Sequence, residues 1–385
     1  MVSFTSISQG ANLLLAVSCL FLTASNAAPT SPAHTKSHVN ITSVETKADL
    51  PPLINSRTKP AKVPSVDFNS ESKFAAKNVE WYNKHGGNYN FTKRDDEQVG
   101  GMLMDLPKDG VPGYQKTTNS NGVVQASASQ VNEFTKYAAI ASTAYCRSVV
   151  PLTKWDCKQC LKYVPDGKLI KTFSSLISDT NGFILRSDAE KTIYLVFRGT
   201  NSIRSAIADL KFDFVNYPNV KGAKVHRGFL QSYNEVVAAY FPVIQDQLTA
   251  FPNYKIIVTG HSLGGAQALL AGMDLYQRDS RFSPKNLHIF TAGCPRVGNP
   301  DFAYYVDSTS IPFSRSVNER DIVPHVPPQA FGYLHPGVEA WTKSSGNVQI
   351  CTDNIETDSC SNTIVPFTSI TDHLTYYGIN EGLCL

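Results

Sequence analysis

The stretch Lys255-Ile-Ile-Val-Thr-Gly-His-Ser-Leu-Gly-Gly-Ala266 decides how this chain is read. Lys255 to Thr259 is a short run of β-branched apolar residues, the pattern of a buried strand. Gly260-His-Ser-Leu-Gly264 then matches G-x-S-x-G, in which a serine on a sharp strand-to-helix turn has its hydroxyl lifted clear of the backbone. The flanking glycines keep side chains apart where strand and helix pass closely. By composition alone roughly one chain in ten of this length would carry the pentapeptide. What makes it specific is its setting. Ala266, Leu269, Leu270 and Met273 follow at i, i+3, i+4 and i+7, the spacing of one helical face. Ser262 is therefore read as a nucleophile that accepts an acyl group.

The rest of the 385-residue chain fits that reading. A hydrophobic content of 42% and a charged content of 17% describe a protein with a sizeable core. The formal net charge of +3, without a basic stripe, gives no reason to expect a nucleic-acid partner. Leu13 to Leu22 is an apolar run too short to span a bilayer, and Ser25-Asn-Ala27 supplies small residues for cleavage. Residues 1–27 thus read as a secretory signal, although no lysine or arginine precedes the run. The mature protein is expected outside the cell. There the Cys157-Lys-Gln-Cys160 pair reads as a disulfide rather than a metal or redox site. Losing Cys19 with the signal leaves seven cysteines, and spacing alone does not give their pairing.

From Ala28 to about residue 117 proline, serine, threonine and lysine dominate, and no sustained helical or strand periodicity is evident. Both N-x-S/T sequons, at Asn40 and Asn90, lie here, as does the dibasic Lys93-Arg94. This region reads as a propeptide, the alternative being a retained N-terminal arm. Residues 118–385 read as the catalytic domain. Val131, Phe134, Tyr137, Ala138, Ala141 and Tyr145 have helical spacing. Phe183–Leu185, Thr192–Phe197 and Leu287–Thr291 read as strands, and Val236–Leu248 as a helix. Strands alternating with helices predict an α/β fold with helices on both faces of the sheet, and a ligand site at the carboxyl ends of the strands, where Ser262 falls.

A serine hydroxyl needs a base, and the base needs an orienting carboxylate. In α/β-hydrolases these follow the serine in the order acid, then histidine. His325, His335 and His373 all lie downstream with an acid between. The acids are Asp301, Asp307, Asp321, Asp353 and Asp358, of which Asp321 follows the strand-like Phe313–Val317 and precedes the stiff Ile322-Val-Pro-His-Val-Pro-Pro328. These residues alone leave the choice open.

Val258-Thr-Gly-His-Ser-Leu-Gly-Gly-Ala266, Pro295-Arg-Val-Gly-Asn-Pro300, Arg320-Asp-Ile-Val-Pro-His325 and Phe197-Arg-Gly-Thr200 resemble the fungal class 3 lipases of the Rhizopus type. The likeness runs from about Val123 to Leu385. It implies an α/β-hydrolase-like mixed, mostly parallel sheet with a helical lid, and a triad of Ser262, Asp321 and His373. It also implies an oxyanion hole from the backbone N–H of Leu263 with the N–H and hydroxyl of Thr200. Losing one such donor typically raises the barrier by about 3–4 kcal/mol. The same resemblance pairs Cys146 with Cys384, Cys157 with Cys160 and Cys351 with Cys360, leaving Cys294 as a buried, inert thiol. It places Phe212, Phe229, Val323 and Leu374 along an acyl groove.

Directly after Thr200, Ile203, Ala206, Ile207 and Leu210 form an apolar stripe, with Arg204, Ser205 and Asp209 elsewhere. A surface helix packed on the core would look the same. Beside the oxyanion threonine, and given the resemblance, the stripe reads as a lid. Exposing each large residue would cost on the order of 1.5–3 kcal/mol if it is fully buried, so the open form is a minor population until a lipid surface takes up that face. The expectation is a secreted, monomeric triacylglycerol lipase without a cofactor, acting at an oil–water interface through peripheral contact. A phospholipase, a feruloyl-type esterase, or a lipid-binding protein without chemistry are the alternatives.

Overall fold

The computed structural model describes residues 50–89, 98–108, 110, 122–175, 177–200 and 202–384. The expected signal segment, both sequons, Lys93-Arg94 and the boundary near residue 117 lie outside these residues.

Nine strands form one sheet: β1 (Val123–Gln125), β2 (Lys168–Ser174), β3 (Asn181–Ser187), β4 (Thr192–Phe197), β5 (Lys255–His261), β6 (Leu287–Ala292), β7 (Phe313–Asn318), β8 (Val338–Ser344) and β9 (Asn347–Cys351). Their order across the sheet is β1-β9-β8-β7-β6-β5-β4-β3-β2. The five central strands, β4 to β8, run parallel and are flanked on both sides by antiparallel ones. The fold is the expected mixed α/β one. In the centre, Gly260 is in register with Phe197 of β4 and Thr291 of β6, so β5 ends between two neighbours that support it.

The strand period of two sorts the core into two layers. Leu195, Phe197, Ile256 and Val258 point to one face, against α5 (Arg227–Asn234), α6 (Val237–Ala250), α7 (Leu263–Arg278) and α8 (Pro300–Ser308). Tyr194, Val196 and Ile257 point to the other, which α2 (Ala128–Ser142) and α3 (Lys158–Tyr163) help to cover. Helix α2 starts on a capping box, with Ser127 and Gln130 each accepting the other's backbone N–H. Helix α7 is buried on nearly every side, which is why its apolar stripe is so dense.

The N-terminal region is more ordered than its sequence led us to expect. Ser70–Lys84 is a 15-residue helix, α1, and Gln98–Val99 pairs with Met102–Leu103 in a short hairpin. The buried residues of α1 are Ser70, Glu71, Ala75, Asn78 and Tyr82, so polar residues interrupt its apolar stripe. Glu71 and Asn78 are satisfied by residues far along the chain. Asn78 donates to the carbonyls of Thr363 and Val365, and Glu71 pairs with Arg296 at 3.0 Å. Arg296 is wholly buried and is neutralised by Glu356 as well as Glu71.

Three disulfides are present: Cys146–Cys384, Cys157–Cys160 and Cys351–Cys360. Cys294 is free and buried, and burial pushes its thiol up to about 12, which leaves it protonated and unreactive at neutral pH.

Candidate active site

Ser262 stands between β5 and α7 with φ of 60° and ψ of −132°, a left-handed conformation that non-glycine residues rarely hold. Its N–H is fixed to the carbonyl of Ala292 at 2.9 Å. Side chains on the two flanking glycines would not fit. A methyl on Gly260 would come within 2.2 Å of the Gly264 carbonyl, and one on Gly264 within 2.3 Å of the Phe197 carbonyl. The close crossing of strand and helix that lifts the serine is thus possible only without these side chains.

Of the three histidines, two face groups other than the candidate acid. His325 is buried beside Arg296, with Nδ1 3.9 Å from Glu71, and burial together with that guanidinium lowers its pKa to about 3. His335 donates from Nε2 to the Pro324 carbonyl, and its backbone N–H goes to Glu356. His373 is held differently. Its Nδ1 lies 2.7 Å from Oδ2 of Asp321, and both residues are fully buried. Asp321 also accepts from the Tyr376 hydroxyl and from the Val323 backbone N–H. Three donors on one carboxylate fix its orientation and hence the ring's. Nε2 of His373, the nitrogen turned away from Asp321, is buried and unpartnered. The ring packs 4.4 Å from that of His261, the residue before Ser262, and against Gly293, which follows the carbonyl holding Ser262. The other acids fall elsewhere: Asp301 and Asp307 are on α8, and Asp358 accepts from Ser70 of the N-terminal segment.

Ser262 opens on a cavity of about 250 Å³ whose lining is almost wholly apolar. Thr200 and Leu263 border it next to the serine. The Leu263 N–H begins α7, so the dipole of a long helix adds to its donor strength. The Thr200 hydroxyl accepts from Ser202 N–H at 3.4 Å, which turns it within its loop.

One wall of the cavity is α4 (Ile203–Ala208). Ile203 and Ile207 are buried, Leu210 is half-buried beyond the helix end, and Asp209 is exposed. Ala206 reaches the cavity rim but is otherwise exposed. Of the four residues expected along an acyl groove, Phe229 and Val323 line the cavity. Phe212 stacks edge-on against Phe331, and Leu374 lies at the surface near Gly382, so neither lines the cavity with α4 in this position. His226 and Pro295 line it instead. His226 stacks on Phe229, donates from Nε2 to the Lys211 carbonyl and is kept neutral by burial, so it behaves as an apolar wall. No periodicity marks it in the sequence.

The N-terminal segment packs against α4. Val99, Met102 and Met104 form one apolar cluster with Ile203 and Ile207. Asp105 takes both of its oxygens to Nη2 of Arg204, at 2.8 and 2.7 Å.

The family model described as lipase (class 3) matches residues 194–331. The chain is 64% identical to the lipase of Rhizopus niveus, an alignment that covers the whole of both chains. Among solved structures, the Rhizomucor miehei lipase propeptide complex superposes with a TM-score of 0.76 at 48% identity, covering 87% of this chain and all of that one. A triacylglycerol lipase whose catalytic centre is formed by a serine protease triad superposes with a TM-score of 0.67 at 55% identity, over 69% of this chain and all of that one. Likeness of this extent, over the full length and across both the sheet and the N-terminal segment, means that the chain belongs to the class 3 lipases.

Proposed function

We propose that the protein is a secreted triacylglycerol lipase in which Ser262, His373 and Asp321 form the triad. The observation that carries this is the pairing of a nucleophile-type serine at the mouth of an apolar cavity with a buried His–Asp pair packed beside its turn. His373 Nε2, with nothing else to bond, takes the proton of Ser262 as the hydroxyl attacks the ester carbonyl. Asp321 holds the imidazolium that forms. The Leu263 N–H and the N–H and hydroxyl of Thr200 receive the oxyanion. His373 then protonates the departing alcohol, and water cleaves the acyl-enzyme by the reverse route. Phe229, Val323 and the inner side of α4 suit a fatty chain.

In this reading α4 is the lid, and a lipid surface opens it by taking up Ile203 and Ile207. Residues 28–117 act as a propeptide, whose hairpin adds a second restraint on the lid through the apolar cluster and the Arg204–Asp105 pair. No helix among the described residues is long and apolar enough to cross a membrane.

Ser262→Ala is expected to lower turnover of emulsified trioleoylglycerol by about 10⁶, the scale seen when a triad nucleophile is removed. A fluorophosphonate should label the native chain and not this variant. Hydrolysis retained by the variant would refute the assignment. Phosphatidylcholine and methyl ferulate, tested beside trioleoylglycerol, should be the poorer substrates.

A further inference from the structure

The triad accounts for His373 and Asp321 but leaves two polar side chains beside it without a role, the buried His261 and the half-buried Tyr145. His261 is fully buried and uses both ring nitrogens. Nε2 lies 2.9 Å from the backbone carbonyl of His373, and Nδ1 lies 2.8 Å from the hydroxyl of Tyr145. A carbonyl only accepts, so Nε2 must carry the proton. In the neutral ring that makes Nδ1 an acceptor, and the Tyr145 hydroxyl must donate to it. Burial and the neighbouring His373 hold His261 neutral.

The Tyr145 oxygen keeps its lone pairs and faces the Gly199 backbone. The fit is tight, since a methyl on Gly199 would sit 2.4 Å from that oxygen and 2.8 Å from Cβ of Ser262. Two hydrogen bonds therefore run in one direction, from Tyr145 O–H to His261 and from His261 N–H to the His373 carbonyl, with Gly199 packed against the first oxygen. Gly199 precedes Thr200. The last acceptor is the main chain of the proposed base.

We propose that Tyr145 and His261 are positioning residues that fix the Thr200 loop and His373 relative to one another, on either side of Ser262. This rests on the reading of Ser262, His373 and Thr200 given above. Asp321 sets the direction of the imidazole ring, but it bonds only to the ring. The His261 bond holds the backbone from which that ring projects. His373 sits on a short 3-10 turn, Thr371–Leu374, whose own restraint at this residue is one N–H bond to Ile370 at 3.2 Å. Tyr145 is itself anchored, because the next residue, Cys146, is bridged to Cys384. The alternative is that the pair only fills and satisfies the core, and stability alone would then respond to its loss.

The test uses Tyr145→Phe, which keeps the ring and removes the bridge, with His261→Leu and His261→Gln. Glutamine retains both an N–H for the His373 carbonyl and an acceptor for Tyr145. On a dissolved short-chain ester, Tyr145→Phe should lower kcat by about 10-fold and His261→Leu by about 10²-fold, with KM within twofold, since misplacement of about 1 Å costs on this order. His261→Gln should recover at least tenfold of the loss. The rate of phosphonylation of Ser262 should fall in parallel with kcat. Variants with lowered Tm but kcat within twofold of the parent would overturn the proposal, as would His261→Gln no better than His261→Leu. Should His261→Leu not fold, Tyr145→Phe and His261→Gln decide alone. Failure of the triad reading is separable: there the phosphonate would leave Ser262 unlabelled in the parent chain.

Discussion

Ser262 and α4 face the same cavity, yet they are held by opposite means. The serine's turn is closed between two parallel strands and a 16-residue helix, its N–H bonded to Ala292 and its neighbours too close for any added side chain. Helix α4 has six residues, no side-chain cap, and two buried isoleucines as its main hold. Hydrogen bonds with fixed partners have one good geometry, whereas an apolar face is satisfied by any apolar surface. On the proposed reading, the molecule is directional where bonds are to be made and broken, and interchangeable where a partner would be exchanged for lipid. Each prediction below presses on one side of that contrast.

After Ser262 itself, the largest effect is expected at Asp321. Asn in its place keeps the shape, and with its oxygen kept on the Val323 N–H its NH2 takes the place of Oδ2, facing two groups that are themselves donors, His373 Nδ1–H and the Tyr376 hydroxyl. The imidazole should then settle in the wrong tautomer, lowering kcat by about 10⁴ with KM little changed. Steady-state kinetics on tributyrin would check this, and a loss under tenfold would mean that the carboxylate does not set the ring. Next comes Gly293→Ala. Gly293 has φ of +59°, and a methyl there would lie 2.6 Å from Cε1 of His373 and 3.0 Å from Asp321 Oδ2. Pushing the ring aside should reduce kcat on the order of 10², along with Tm, while fluorophosphonate still reaches Ser262 slowly.

These two sites show what a sequence does and does not display. The elbow was legible because strand, glycines and helix stripe are all local. The choice among His325, His335 and His373 was not, since each is a buried histidine and only partners distant in sequence separate them: Glu71 and Arg296 for the first, Pro324 and Glu356 for the second, Asp321 for the third. Tyr376, Tyr145 and His226 were missed for the same reason. Helix α1 escaped notice because the residues on its buried face that fasten it, Glu71 and Asn78, are polar. Phe212 and Leu374 show a further limit, because whether an apolar residue lines a cavity, packs on a distant ring or lies at the surface depends on contacts that spacing does not record.

On the yielding side, Ile203→Ser with Ile207→Ser in the mature chain should weaken closure. Even half of the roughly 1.5–3 kcal/mol per side chain shifts the lid equilibrium by about 10-fold or more. Activity on dissolved tributyrin should rise and the jump at the emulsion threshold should shrink. With residues 50–108 still attached the gain should be smaller, because Val99, Met102 and Met104 would go on covering that face. An unchanged threshold in both forms would mean that α4 does not gate the site.

The smallest effect belongs to Asp372, next to the proposed base and part of the directional side. Burial, with Glu319 and Asp321 nearby, raises its carboxyl to about 6, while the Arg320 backbone N–H works the other way. Folding therefore favours its protonated form over an unfolded value of about 3.9. The sign follows from linkage: this group's contribution is most favourable below pH 4 and is lost as the pH rises through 6. Asp372→Asn keeps an acceptor for Arg320 N–H but carries no charge. Its Tm should match that of the parent near pH 4 and exceed it by a few degrees at pH 8, measured by thermal unfolding across that range. Since Asp372 bonds to the Arg320 backbone and not to the imidazole, kcat at pH 8 should stay within about twofold. A large drop in kcat without the change in Tm slope would instead make Asp372 part of the machinery that holds His373, and would move the edge of the directional region outward by one residue.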